Sequence, residues 1–212
     1  MKLSRVAMLA CVCLTPTLAT SAFAATPNWT VNFEHPWDYA NGGVASFYNG
    51  GAADDGSSGG ANLGVEFIGV SGLSNDADFT YYAGAPSPQG VAYVYGSSAF
   101  MNVAGGVDKG LALFYASASD VQGAIKVYSG LNGTGDLLGS FDLSANSSAA
   151  YEHWSKFTLS FAGIAKSFDL SGSVGTVAFD NISAVPEPST LVLMLAGVAA
   201  LTGWRRRSDG FV

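Results

Sequence analysis

The spacing of its apolar residues constrains this chain most: short runs of Val, Phe, Tyr and Leu repeat every second position, separated by clusters of Gly, Ser, Asn and Asp. In an extended strand successive side chains point to opposite faces, so a repeat of two builds one dry and one wet face. Residues 155–161 show it plainly: Phe157, Leu159 and Phe161 share one side, and Lys156, Thr158 and Ser160 take the other. Similar runs lie at 29–34, 65–70, 91–95, 111–115, 124–128, 138–143, 168–170 and 176–182. The three-and-four spacing of an amphipathic helix is nearly absent. Eight or more short strands bounded by turn residues predict an all-β protein, an antiparallel β-sandwich or jelly roll.

Two connections stand out. Residues 48–62 hold Asn49-Gly50-Gly51 and Asp54-Asp55-Gly56, glycines that permit positive φ. Leu131-Asn132-Gly133-Thr134-Gly135-Asp136 predicts a hairpin between the runs at 124–128 and 138–143.

The two ends depart from this pattern. Lys2 and Arg5 precede an apolar run at 6–14, and Ala22-Phe23-Ala24 is the small-x-small pattern accepted by signal peptidase. The expected cut lies between Ala24 and Ala25, making residues 1–24 a signal peptide. A lipoprotein cut before Cys11 would leave only Val6 and Ala7 between Arg5 and Met8-Leu9-Ala10, too little apolar core. At the other end, Val185-Pro186-Glu187-Pro188-Ser189 is followed by fourteen uncharged residues, 191–204. With the three residues before them they span roughly 25 Å as a helix, just short of the ~30 Å hydrocarbon core. Trp204 suits the interface, and Arg205, Arg206 and Arg207 suit the cytoplasmic side. A single short transmembrane helix is therefore expected, with the bulk of the chain outside.

Pro186 and Pro188 lack amide donors and fix φ, so the peptide around Glu187 stays extended and open to a protease. Pro-Glu-Pro, a short span and an arginine cluster, in that order over residues 185–207, resemble the PEP-CTERM sorting signal. The resemblance implies recognition by a membrane protease of the exosortase type, removal of the tail, and delivery to the cell surface or extracellular polymer. The plain alternative is a permanent tail anchor. Residues 25–184 then form the ectodomain and 185–212 the sorting signal.

Both cysteines, Cys11 and Cys13, fall in the signal peptide, so the ectodomain has no disulfide. Between residues 25 and 187 eleven Asp and four Glu face four Lys and no Arg, a net charge of −11. That balance argues against nucleic acid and anionic lipid as partners. It suits divalent cations and neutral polysaccharide.

Fragments of the ectodomain also resemble domains that accompany PEP-CTERM tails: Val31-Asn32-Phe33-Glu34, Asn62-Leu63-Gly64-Val65-Glu66-Phe67, Tyr128-Ser129-Gly130-Leu131-Asn132-Gly133-Thr134-Gly135, Ala165-Lys166-Ser167-Phe168 and Phe179-Asp180-Asn181-Ile182. This resemblance implies a jelly-roll sandwich of the carbohydrate-binding type and names no ligand.

Candidates for chemistry are few. The two histidines, His35 and His153, sit at strand edges, and there is no Gly-x-Ser-x-Gly motif. A glycoside hydrolase would need paired carboxylates, for which Glu66 on an alternating strand is the best starting point. Calcium is a better use of the acids. Glu34 on the first strand and Asp180 on the last would meet if the termini pair, and Asp54 with Asp55 offers a second cluster. For sugar contact, Trp37 and Tyr39 in the 35–41 loop are the expected exposed pair. The combined expectation is a non-catalytic surface or biofilm-matrix protein. The alternatives are a calcium-supported carbohydrate-binding module and, behind it, a secreted glycoside hydrolase.

Overall fold

The computed structural model describes residues 29–74 and 82–185. They form nine strands: β1 (Thr30–Val31), β2 (Val65–Ile68), β3 (Val70–Ser74), β4 (Gly90–Val94), β5 (Phe100–Ser117), β6 (Val121–Tyr128), β7 (Leu137–Leu143), β8 (Ser155–Asp169) and β9 (Val177–Ala184). Two 3-10 turns, Phe47–Asn49 and Ser171–Ser173, complete the elements, and no α-helix occurs among the described residues. The expected all-β antiparallel class holds. Hydrogen bonding joins the strands in the order β3-β4-β9-β5-β8-β6-β7, with β1 beside β9 and β2 beside β5.

Two long strands fold this sheet back on itself. β5 runs for 18 residues and β8 for 15, and their mutual register slips between Asn102 and Val107 and again between Asp108 and Gly110. Gly106 (φ 78°) and Lys109 (φ 75°) hold the left-handed geometry of these irregularities. An extra residue on one side of a ladder bends the strand and lets it turn a corner between layers. The first residues of β5 pair with β2 and the end of β8, whereas its later residues pair with β9 and the start of β8. Phe161 and Phe168 measure the bend. Seven residues of straight strand cover about 23 Å, yet their rings lie 5.9 Å apart, with Gly163 (φ 90°) between them. Phe141 of β7 consequently meets Phe157 of β8 edge-on at 6.4 Å, although β7 lies two places from β8 in the sheet.

The enclosed face carries the core. Phe33, Phe168, Phe179, Met101, Leu111 and Ile125 are all fully buried, and each such side chain contributes about 1.5–3 kcal/mol relative to exposure. No cysteine lies among the described residues, so this packing holds the domain without a disulfide. On β4, Ala92 and Val94 join this core, while Val91 joins a smaller cluster with Leu73, Tyr82 and Ala178. Tyr93, Tyr151 and Trp154 pack against that second cluster, giving the β3-β4-β9 end an aromatic layer on its outer face.

Several strand boundaries differ from the sequence expectation. The run at 65–70 is two strands, because Gly69 takes φ 63° and sends β2 to β5 but β3 to β4. A side chain there would lie 2.4 Å from the Ser98 carbonyl oxygen. The first strand is only two residues long, since Phe33 turns at φ 54°. The expected hairpin joins β6 and β7, closed by Ser129 N–H to Asp136 O at 3.0 Å and Gly130 N–H to Thr134 O at 2.8 Å.

Candidate functional site

The first and last strands of the described fold pair: Thr30 faces Ser183 and Val31 faces Ile182. This brings Glu34 and Asp180 to one corner, where both hold the segment 87–90. Asp180 is fully buried. Its Oδ2 accepts from the Ser87 amide at 2.7 Å, and its Oδ1 accepts from the Ser87 hydroxyl at 2.9 Å and the Asn181 amide at 2.7 Å. Glu34 Oε1 accepts from the amides of Gln89 at 2.8 Å and Gly90 at 3.2 Å. Burial pushes Asp180 up to about 6, the Glu34 charge adds to that, and the Ser87 and Asn181 donors pull against it. Burial likewise holds the Tyr48 phenol far above its ordinary range beside these two acids, so it stays protonated. Three carboxylate oxygens thus take five N–H or O–H donors, and the corner acts as a pin for the Pro86-Ser87-Pro88 segment. Among the described residues no three of His, Cys, Asp and Glu come together as a metal cluster.

Asp54 and Asp55 lie elsewhere, in the glycine-rich loop. Asp55 accepts from the Ser57 amide at 2.7 Å. Its small desolvation is outweighed by the Ser57 donors, which hold its carboxyl below the ordinary value. Asp54 is latched by its backbone, donating to Gly43 O at 2.9 Å, and any side chain at Gly43 would overlap the Asp54 carboxylate.

Trp37 and Tyr39, expected as an exposed pair, separate. Trp37 is 4% exposed and belongs to the core, so it is not a surface contact. Its indole N–H donates to Phe33 O at 2.8 Å, its ring meets Phe47 at 5.2 Å, and it lies over Gly72, where a side chain would collide with it. Burying an indole whose N–H finds a carbonyl satisfies both halves of the residue. Tyr39 is 70% exposed. It borders a groove of about 320 Å³ whose other contributors include Asn41, Asp54, Ser71, Tyr93 and Tyr95. Tyr93 and Tyr95 belong to the alternating run at 91–95, which the sequence alone did not connect with Tyr39. The signal was the repeat of two, which puts Tyr93 and Tyr95 on one side of β4 and of the residue that follows it.

Glu66 is half-buried on β2, its Oε1 accepting from the Ser46 hydroxyl at 3.3 Å. His35 packs edge-on against Trp37 at 4.7 Å, and His153 lies 3.9 Å from Glu152 at the surface. Of the candidate residues, Asp180 and Glu34 meet at the pinned corner, and Tyr39 and Asp54 meet at the groove.

The signal-peptide residues Ala22, Ala24 and Ala25 lie outside the described residues, as do Pro186, Glu187, Pro188, Trp204, Arg205, Arg206 and Arg207. No helix among the described residues is long and apolar enough to cross a membrane, and the expected C-terminal span also lies outside them. Val185 is the last residue described, its amide donating to Gly110 O at 3.1 Å. In comparisons with known proteins, no curated protein matches the chain. The family model of the PEP-CTERM protein-sorting motif matches residues 184–207, starting on the last residue of β9. The chain is therefore a β-sheet protein that carries a PEP-CTERM sorting motif, a signal for export, processing by the membrane protease exosortase and association with the cell surface.

Proposed function

We propose that this chain is a non-catalytic surface or extracellular-matrix protein. Its jelly-roll ectodomain is exported behind a cleaved signal peptide, held briefly by a C-terminal helix, and then passed to the cell surface or to exopolysaccharide. The observation that carries this reading is the position of the sorting motif. The match begins at Ala184, where β9 ends. β9 lies between β4 and β5 inside the sheet, and a cut near Glu187 falls just beyond Val185, the last described residue, whose amide bonds to Gly110. Processing can then release the ectodomain without removing a strand. An ectodomain with ten more acidic than basic side chains over residues 25–184 stays soluble and is not drawn to anionic lipid.

Carbohydrate binding is a second reading, favoured by the exposed tyrosines along the groove; a calcium requirement forms no part of it. The double variant Pro186→Ala/Glu187→Ala tests the first. Intact mass of the protein from its native host is expected to show a chain starting at Ala25 and ending near Glu187 for the parent. The variant is expected to keep its tail and stay in the membrane fraction. Normal release of the variant would refute the sorting role of these residues.

A further inference from the structure

We propose that the groove between Tyr39 and the Tyr93–Tyr95 edge binds a segment of uncharged polysaccharide. This deepens the surface-protein reading, resting on it for bringing the domain into contact with extracellular polymer. A pyranose ring offers two apolar C–H faces and a rim of hydroxyls. A site for it needs exposed aromatic faces on its flanks and a few fixed polar groups between them. Tyr39 and Tyr95 are 70% and 55% exposed and border the same groove. Tyrosine suits such a place, since its ring covers C–H groups while its hydroxyl remains wet. The groove's volume of about 320 Å³ is within the range of ligand sites.

The floor is rigid before any ligand arrives. Residues 42–44 run beside β3, with Gly72 N–H donating to Gly42 O at 2.8 Å and Val44 N–H to Val70 O at 3.0 Å. Neither Gly42 nor Gly43 has room for a side chain: at Gly42 it would meet the Asp38 and Gly72 carbonyl oxygens at 2.6 and 2.7 Å, and at Gly43 the Asp54 carboxylate. Both glycines are therefore packed tightly against their neighbours, and the Asp54 carboxylate lies directly against Gly43 at the groove. Asp54, Asn41 and Ser71 supply a carboxylate, an amide and a hydroxyl there, the groups that bond sugar hydroxyls. The backbone of the floor therefore needs little further ordering on binding.

Charge selects the class of polymer. Asp54 is the one ionic side chain among the described residues that line the groove. All four ectodomain lysines lie on other strands, Lys109 on β5, Lys126 on β6, and Lys156 and Lys166 on β8. Uronates, sulfates or phosphates would meet a carboxylate with no cation to balance them. Tyr93 also lines a smaller cleft of about 90 Å³ with Tyr82 and Tyr151, so the aromatic surface continues past the groove and suits a chain over a single sugar.

The experiment is calorimetric titration of the purified full-length protein with neutral gluco-, galacto- and manno-hexaoses, and with hexauronates as the charged comparison. At least one neutral hexaose is expected to bind and the hexauronates not. Tyr95→Ala is expected to weaken binding about tenfold, the scale of one lost aromatic contact, while Tyr95→Phe stays within about threefold. Gly43→Ala, which displaces the Asp54 carboxylate, is expected to weaken it as well. Near-UV circular dichroism confirms that each variant is folded. No binding of any neutral hexaose, equal binding of hexauronates, or unchanged affinity in Tyr95→Ala would overturn the proposal. The tail is read separately by mass, so a failure of sugar binding leaves the sorting result standing, and the reverse.

Discussion

Asp180→Asn separates charge from shape at the buried corner. The Asp180 carboxyl, ordinarily near 3.8, titrates at about 6 in the fold. At pH 7 its charged form therefore costs about 3 kcal/mol relative to the unfolded chain. The sign follows from proton binding. Between pH 4 and 6 the native state holds this proton more tightly than the unfolded state, so stability from this group grows as pH falls through 6 and is complete below about 4. From pH 7 to pH 5 the gain is on the order of 1 kcal/mol, or about 2–4 °C in Tm for a domain of this size. Asparagine cannot titrate, and it must turn its amide group toward one of the donors now bonded to Asp180. A backbone N–H of Ser87 or Asn181 then loses its acceptor, at a cost of about 1–3 kcal/mol. Near pH 7 the lost bond and the removed charge roughly offset each other. At pH 5 the variant falls behind the parent by about 1 kcal/mol more than it does at pH 7. Asp55 and Glu152, whose carboxyls are held below their ordinary values, have the opposite sign: their stabilisation is lost only as pH falls below about 4, outside this window. Thermal melts of both proteins at pH 5, 6 and 7 and constant ionic strength measure the difference. Parallel pH profiles for parent and variant would refute the reasoning.

Two further outcomes follow from the fold. Excess chelator leaves Tm unchanged, because the Asp180 and Glu34 oxygens facing segment 87–90 are already taken by protein donors; a drop of several degrees in a chelator melt would place a cation there. Gly69→Ala destabilises by about 1–3 kcal/mol in urea unfolding, since alanine must adopt φ 63° and meet the Ser98 carbonyl oxygen at 2.4 Å. A cost below about 0.5 kcal/mol would show that the β2–β3 switch does not need that conformation.

Local features of this fold were legible in the sequence, and features made by two distant segments were not. The alternation at Phe157, Leu159 and Phe161 survives in detail: Leu159 is buried, its two partners half-buried, and Lys156, Thr158 and Ser160 exposed. The 131–136 hairpin and the meeting of Glu34 with Asp180 also follow from local turn chemistry and from pairing of the first and last strands. The first half of β5 was missed because Gly105, Gly106 and Gly110 look like turn residues, yet in an 18-residue strand they mark bends within the ladder. Nothing near Ser87 announces that it would hold a carboxylate 93 positions away. Trp37 misled for a related reason. Its loop is polar, and the space that buries its ring is made by Gly72, a residue on another strand.

The place of β9 ties the fold to the motif that follows it. This strand hydrogen-bonds to β1, β4 and β5, and it contributes Val177, Phe179 and Ile182 to the core. Strands β3 and β4 reach the rest of the sheet through it. The ladder therefore cannot close until the chain has reached Ala184, the residue at which the sorting match begins. Such late, long-range pairing is slow, because loop closure must be met before the contacts that compensate it form. A tail that keeps the chain at the membrane while β9 docks gives folding that time. Once Val185 has bonded to Gly110, cutting beyond it costs the ectodomain no hydrogen bond seen in the described fold. Folding can thus precede release, because β9, the last described strand, ends at the residue where the sorting match begins.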